Sequence, residues 1–257
     1  MKAGTVLLLL AVVGLAGCDQ SPPTSGRSEA TPGGSVRLAS LPPKSAWPFL
    51  GTSTPAPGGG SFDPAAVIQR NYFFVLDASG SMSERKCSGE ERKIDVAKRV
   101  LLQFAQQLPA DANLGGLVFD QQGVHSLIPI GTYEPATLRR ALATVSAGGN
   151  TPLAQAIRQA YAALTQRALS QLGYGEYHLI VVTDGEATGE DPRDIVDRLI
   201  AESPVVLHTI GFCIGDNHSL NQAGRTIYHA ANSPRELEQG LQDVLAESPT
   251  FHVARFK

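Results

Sequence analysis

Residues 72–82 read YFFVLDASGSM, and the fold is decided there. Tyr72 to Leu76 is an unbroken apolar run, rich in aromatic and branched residues. Such a run, with no polar alternation, predicts a strand buried on both faces, as in a parallel sheet. It ends at Asp77. Ala78, Ser79, Gly80 and Ser81 follow, all small and two of them hydroxylic. In open α/β sheets the C-terminal edge of the strands is where ligands bind. Residues 178–183, HLIVVT, repeat the design and end at Asp184, before Gly185 and Glu186. If the two strands are parallel neighbours, Asp77 and Asp184 lie side by side and repel unless a cation sits between them. Ser79 and Ser81 add neutral hard oxygens. The four residues therefore point to an oxygen-only divalent site, suited to Mg²⁺, Mn²⁺ or Ca²⁺ rather than a soft metal.

The chain has 257 residues and a formal net charge of −3, a length for one ordinary domain with appendages. No basic run exceeds two residues, so the footprint of a nucleic-acid-binding protein is missing. The cysteines are Cys18, Cys87 and Cys213.

Residues 1–17 read as a leader. Lys2 supplies the positive charge, and Thr5 to Ala16 an apolar core shorter than the ~20 residues a spanning helix needs. The stretch Leu15-Ala16-Gly17-Cys18 resembles the bacterial lipobox, which implies cleavage before Cys18 and its lipidation. Asp19 would then be the second residue of the mature chain. In enterobacterial lipoproteins an aspartate there resembles the signal for retention in the inner membrane. The expected location is the periplasmic side of the cell envelope, held by a lipid anchor. Residues 18–64 hold nine of the seventeen prolines and Gly58-Gly59-Gly60. A segment of that composition reads as a flexible linker, roughly 35–40 Å end to end. Trp47, Phe49 and Leu50 form an apolar island in it, read as a loose contact on the domain surface or, less simply, a partner motif.

Residues 65–257 read as the folded domain. Glu90–Leu108 carries an apolar stripe at helical spacing, stopped by Pro109. Leu114–Phe119 and Val124–Ile130 read as an antiparallel hairpin around Gln121-Gln122-Gly123. Helices are expected over Glu134–Val145, Pro152–Leu172, Pro192–Ala201 and Pro234–Leu245. Strands are expected at His178–Thr183, Val205–Phe212 and Thr226–Ala230. Alternating strands and helices imply right-handed crossovers and an α/β fold with a doubly wound, mainly parallel sheet and helices on both faces.

Three motifs, in order, resemble the von Willebrand factor A domain, also called the integrin I-like domain. They are Asp-x-Ser-x-Ser at Asp77, Ser79 and Ser81, the threonine of Gly149-Asn150-Thr151-Pro152-Leu153, and Thr183-Asp184-Gly185. The resemblance covers about residues 70 to 250. It implies a six-stranded sheet in the order 3-2-1-4-5-6 with strand 3 antiparallel, and a complete metal-ion-dependent adhesion site. Carried over, Ser79, Ser81 and Thr151 would bind a divalent cation, most simply Mg²⁺, through their hydroxyls. Asp77 and Asp184 would hold it mostly through bound waters. A glutamate or aspartate of a partner protein would fill the open position, which makes the module a carboxylate receptor and not an enzyme.

Blander readings stand beside these. Asp77, Ser79 and Ser81 also suit a helix cap or Asx-turn, and Thr151 suits an N-cap before Pro152, itself placed at a first helical position. Glu186 reads as a solvated loop residue; as a general base it would support a metal-dependent hydrolase. A third possibility is a purely structural metal. Cys87 and Cys213 lie just beyond central strands on the metal-site edge, and an even pair in an oxidising compartment favours a disulfide. The rival is a metal site of Cys87, Cys213, Asp216 and His218, which no ligand spacing supports. His208 reads as a hydrogen-bonded core residue.

Overall fold

The computed structural model describes residues 47–48 and 64–246. The leader, Cys18, Asp19, the remainder of the linker and residues 247–257 lie outside the described residues. Strands are β1 Arg70–Asp77, β2 Asn113–Asp120, β3 Gly123–Gly131, β4 Glu176–Thr183, β5 Val206–Phe212 and β6 Ile227–Ala231. Helices are α1 Pro64–Val67, α2 Lys93–Gln107, α3 Pro135–Thr144, α4 Leu153–Ser170, α5 Arg193–Glu202 and α6 Pro234–Ala246. The sheet runs β3-β2-β1-β4-β5-β6. β3 is antiparallel to β2, and every other pairing is parallel. This is the expected doubly wound order. Among the described residues no helix is long and apolar enough to cross a membrane.

Period-two alternation splits the apolar run of β1 between two cores. Tyr72, Phe74 and Leu76 join Val100, Leu101 and Phe104 of α2, Leu138 and Leu142 of α3, and Leu237 and Leu241 of α6. Phe73 and Val75 turn the other way, onto Leu153, Ile157 and Leu164 of α4 and Val196 and Leu199 of α5. Each such side chain contributes about 1.5–3 kcal/mol by leaving water. Register matters here. Phe73 stands opposite Gly115 and Phe74 opposite Gly116 on β2, and a β-carbon at either glycine would overlap the ring beside it.

Every expected strand and helix is present, with ends displaced by up to three residues. The largest displacement is at α2, which starts at Lys93 and not at Glu90. Arg92 is extended (φ −72°, ψ 147°), and the amide of Lys93 donates to the Glu84 carbonyl at 2.8 Å, folding the loop before α2 back on itself. α1 and a 3₁₀ turn at Gly80–Ser83 were not expected. Trp47 corrects the loose-contact reading. It is 5% exposed, its ring meets Tyr177 edge-on at 4.9 Å, and its Nε1 donates to Thr165 Oγ1 at 3.3 Å. Phe49 and Leu50 lie outside the described residues.

Candidate metal centre

β1 and β4 are adjacent and parallel, at the point where strand order reverses. Asp77 closes β1, and Asp184 follows the last residue of β4. Both are buried. Backbone bonds bring three loops to the same edge. The Ala78 amide donates to the Phe119 carbonyl (2.9 Å), Gly148 to Ala78 (2.8 Å) and Gly80 to Gly149 (3.1 Å). Gly149 has φ +83°, and a β-carbon there would press on the backbone of Asp120, so only glycine lets this loop approach. Thr151 and Thr188 exchange bonds: the Thr151 amide donates to Thr188 Oγ1, and the Thr188 amide to the Thr151 carbonyl, both at 2.9 Å. The loop before α4 is thereby tied to the loop after β4.

The side chains form a connected set. Asp77 Oδ1 accepts the Ser79 amide at 2.7 Å, an Asx-turn as the blander reading anticipated, and Oδ2 accepts the Thr183 hydroxyl at 2.6 Å. Ser79 Oγ and Ser81 Oγ are 3.1 Å apart. Ser81 Oγ donates to Asp184 Oδ1 at 2.6 Å. Thr151 caps no helix. Pro152 occupies the capping position, not the first helical one, with no side-chain bond to α4. Thr151 Oγ1 instead faces Gly185, 3.9 Å from where a β-carbon of that residue would stand. Burial pushes the Asp77 carboxyl up to about 6, the charge of Asp184 adds to this, and the bonds from Ser79 and Thr183 act against it.

The donor set suits a hard cation. Adjacent oxygens around an octahedral Mg²⁺ at ~2.1 Å lie about 3.0 Å apart, close to the Ser79–Ser81 spacing. Two buried carboxylates that raise each other's cost supply the charge a cation would relieve.

Lys93 was missed by the sequence reading. Its Nζ donates to Asp184 Oδ2 at 2.8 Å, and its side chain is 4% exposed. The signal was present: Lys93 shares a helix face with Ala97, Val100 and Phe104, and a lysine on an apolar stripe is seldom solvated. Glu186 is more engaged than expected. It accepts the amide and hydroxyl of Ser219 at 3.0 and 2.7 Å, and lines a polar cleft of about 650 Å³ with Asp191, Arg193 and His218.

The rival cysteine site is not assembled. His218 Nε2 donates to the Gly185 carbonyl and Nδ1 accepts the Leu220 amide, each at 3.0 Å, so both nitrogens are engaged. Cys87 and Cys213 are free thiols here, not a disulfide. They are close neighbours all the same. Burial, then the hydrogen bond and charge of Cys87, pushes the Cys213 thiol up to about 12. His208 is a buried, hydrogen-bonded core residue as expected; its partner is His178, Nε2 to Nδ1 at 3.2 Å.

Known proteins agree with this architecture. The Bacillus subtilis (strain 168) protein named "Uncharacterized protein YwmD" is 30% identical over 215 residues, 76% of this chain and 93% of its own length. A von Willebrand factor type A structure from Catenulispora acidiphila has a TM-score of 0.56 at 18% identity, over 70% of this chain and 42% of that one. Proximal thread matrix protein 1 from the mussel byssus, solved with a zinc-occupied MIDAS motif, has a TM-score of 0.55 at 17% identity, over 69% and 47%. The chain spans less than half the length of those two structures. The family model for the von Willebrand factor type A domain matches residues 71–244. That match spans well over half of the sequence and all of the sheet just described but its first residue, and the chain belongs to the von Willebrand factor type A domain family.

Proposed function

We propose that this domain holds a divalent cation at Ser79, Ser81, Thr151, Asp77 and Asp184 and uses it to bind a carboxylate of a partner protein. The observation that carries this reading is the convergence of two buried carboxylates with the paired hydroxyls of Ser79 and Ser81 at the β1–β4 edge. Domains of this family are generally interaction modules, and a family structure carries zinc at its MIDAS motif. The all-oxygen donor set here favours Mg²⁺, with Mn²⁺ and Ca²⁺ as alternatives.

Bound there, a divalent cation supplies a Lewis-acidic position that accepts a glutamate or aspartate side chain. The serine and threonine hydroxyls are neutral and leave that position electrophilic. Asp77 and Asp184 provide the compensating charge and, as hydrogen-bond acceptors, orient the groups around it. Glu186, the base a hydrolytic mechanism would need, is occupied by Ser219, which supports binding over hydrolysis.

The lipobox-like stretch supports an anchor at Cys18, so the module would stand on the periplasmic side of a bacterial membrane, the inner one by the Asp19 rule.

The test is affinity capture from envelope extract with the purified chain, in Mg²⁺, in EDTA, and with Asp77→Ala in Mg²⁺. A protein retained only by the wild type in Mg²⁺ is expected. Equal recovery in all three arms, or none, would count against the reading.

A further inference from the structure

Asp184 is gripped from two sides. Ser81 Oγ donates to Oδ1 at 2.6 Å, and Lys93 Nζ donates to Oδ2 at 2.8 Å. The carboxylate is 0% exposed and the lysine side chain 4%. A second acid, Glu84, lies 3.3 Å from the same ammonium and is 59% exposed. Backbone closes the unit, since the Lys93 amide donates to the Glu84 carbonyl. A lysine ammonium held between these two carboxylates places a positive charge in the site.

A buried ammonium is costly unless it is paired. Here the pair is made with one of the carboxylates that a divalent cation would need. Asp77 and Asp184 together bring two negative charges, and Lys93 offsets one of them; its other acid, Glu84, is mostly exposed and screened by solvent. Neither Ser79, Ser81 nor Thr151 restores any. Ligand charge count, together with rigidity, tunes the affinity of hard-cation sites over several orders of magnitude, down to about 10⁻⁴–10⁻³ M in the weakest calcium modules.

We propose that Lys93 is a resident counter-ion of the metal centre. It keeps Asp184 and Ser81 in place when no divalent ion is bound, and it raises the concentration of ion needed to fill the site. This inference rests on the metal-binding reading given above. On it the domain acts as a threshold device. Its carboxylate-binding state follows changes in free divalent ion in the millimolar range instead of being saturated at all times. A site with two uncompensated carboxylates would lack that response. Lys93 acts through Asp184 and is a positioning residue.

The experiment is calorimetric titration of the full chain with Mg²⁺, and thermal unfolding in EDTA and in excess Mg²⁺, for wild type and Lys93→Met. Methionine keeps the apolar stem of lysine, one atom shorter, without its charge. The expected result is at least tenfold tighter Mg²⁺ binding in Lys93→Met. Its melting temperature should fall below wild type in EDTA and recover in Mg²⁺, because the ion then replaces the lost charge. Lys93→Gln, neutral but able to donate a hydrogen bond, stands in if the methionine variant does not fold. A lysine with only a structural role would lower both melting temperatures alike and leave affinity unchanged; that outcome overturns the inference while the metal reading stands. Binding by the variant with none by the wild type supports the inference in its strongest form. Absence of binding in both overturns inference and metal reading together.

Discussion

The Thr183 hydroxyl donates to Asp77 Oδ2 at 2.6 Å, in a position where no water reaches the carboxylate. Thr183→Val keeps the shape and removes the donor. The buried oxygen then loses its partner, which costs about 1–3 kcal/mol. In EDTA the variant should unfold at lower urea. The loss should be full above pH 6 and shrink as pH falls below it, because Asp77, pushed up to about 6 chiefly by burial, is then protonated and needs no donor. A midpoint change independent of pH would contradict this account. At this scale the sequence was uneven. Asp77, Ser79, Ser81 and Asp184 were legible because a strand end names each of them. Thr151 was legible only through the family resemblance, since its own neighbours read equally well as a cap. Lys93 was not read at all, because helical periodicity sorts residues as apolar or polar and is silent on a polar group that enters the core to meet a charge.

Elements depend on the pairing of aromatic residues with glycines. Phe73 and Phe74 of β1 stand opposite Gly115 and Gly116 of β2, and the rings fill the space that side chains of β2 would occupy. Gly116→Ala should therefore destabilise by overpacking, about 1–3 kcal/mol, although alanine suits a strand no worse than glycine does. Chemical denaturation reads this directly, and an unchanged midpoint would mean that the ring moves aside. The strands were legible because apolar runs buried on both faces have no polar alternation to misread. The β2 glycines weaken that signal, and only the register with β1 explains them. The start of α2 was misread for a different reason. Glu90, Glu91 and Arg92 suit a helix, but the loop they belong to is held by the bond from the Lys93 amide to the Glu84 carbonyl, a tertiary contact that local propensity does not contain.

The whole molecule should lose stability in acid. His178 and His208 sit in the core on neighbouring strands. His178 stacks on Tyr72 at 4.9 Å and meets His208 at 3.2 Å. Burial, with the charge of Arg70, pushes His178 down to about 4; burial, with His178 and His229, pushes His208 down to about 3. The unfolded chain takes up these protons near 6.5 and the folded one does not. Their stabilising contribution is complete above pH 6.5 and is lost as pH falls through 4 and then 3. For each histidine the loss is about 1.4 kcal/mol for every pH unit separating its folded and unfolded titrations. Thermal unfolding followed from pH 7 to 4 should show a falling midpoint, with a shallower fall in His208→Asn. A flat profile in the wild type would refute this.

Trp47, seated against Tyr177 and Thr165, changes how the domain carries load. A pull on the chain from its N-terminal side meets the indole before it meets β1. While the indole holds, that pull passes through Tyr177 and Thr165 into β4 and α4. Force enters the domain away from the strand whose far end is Asp77, and the ring acts as an anchor that shields the binding edge.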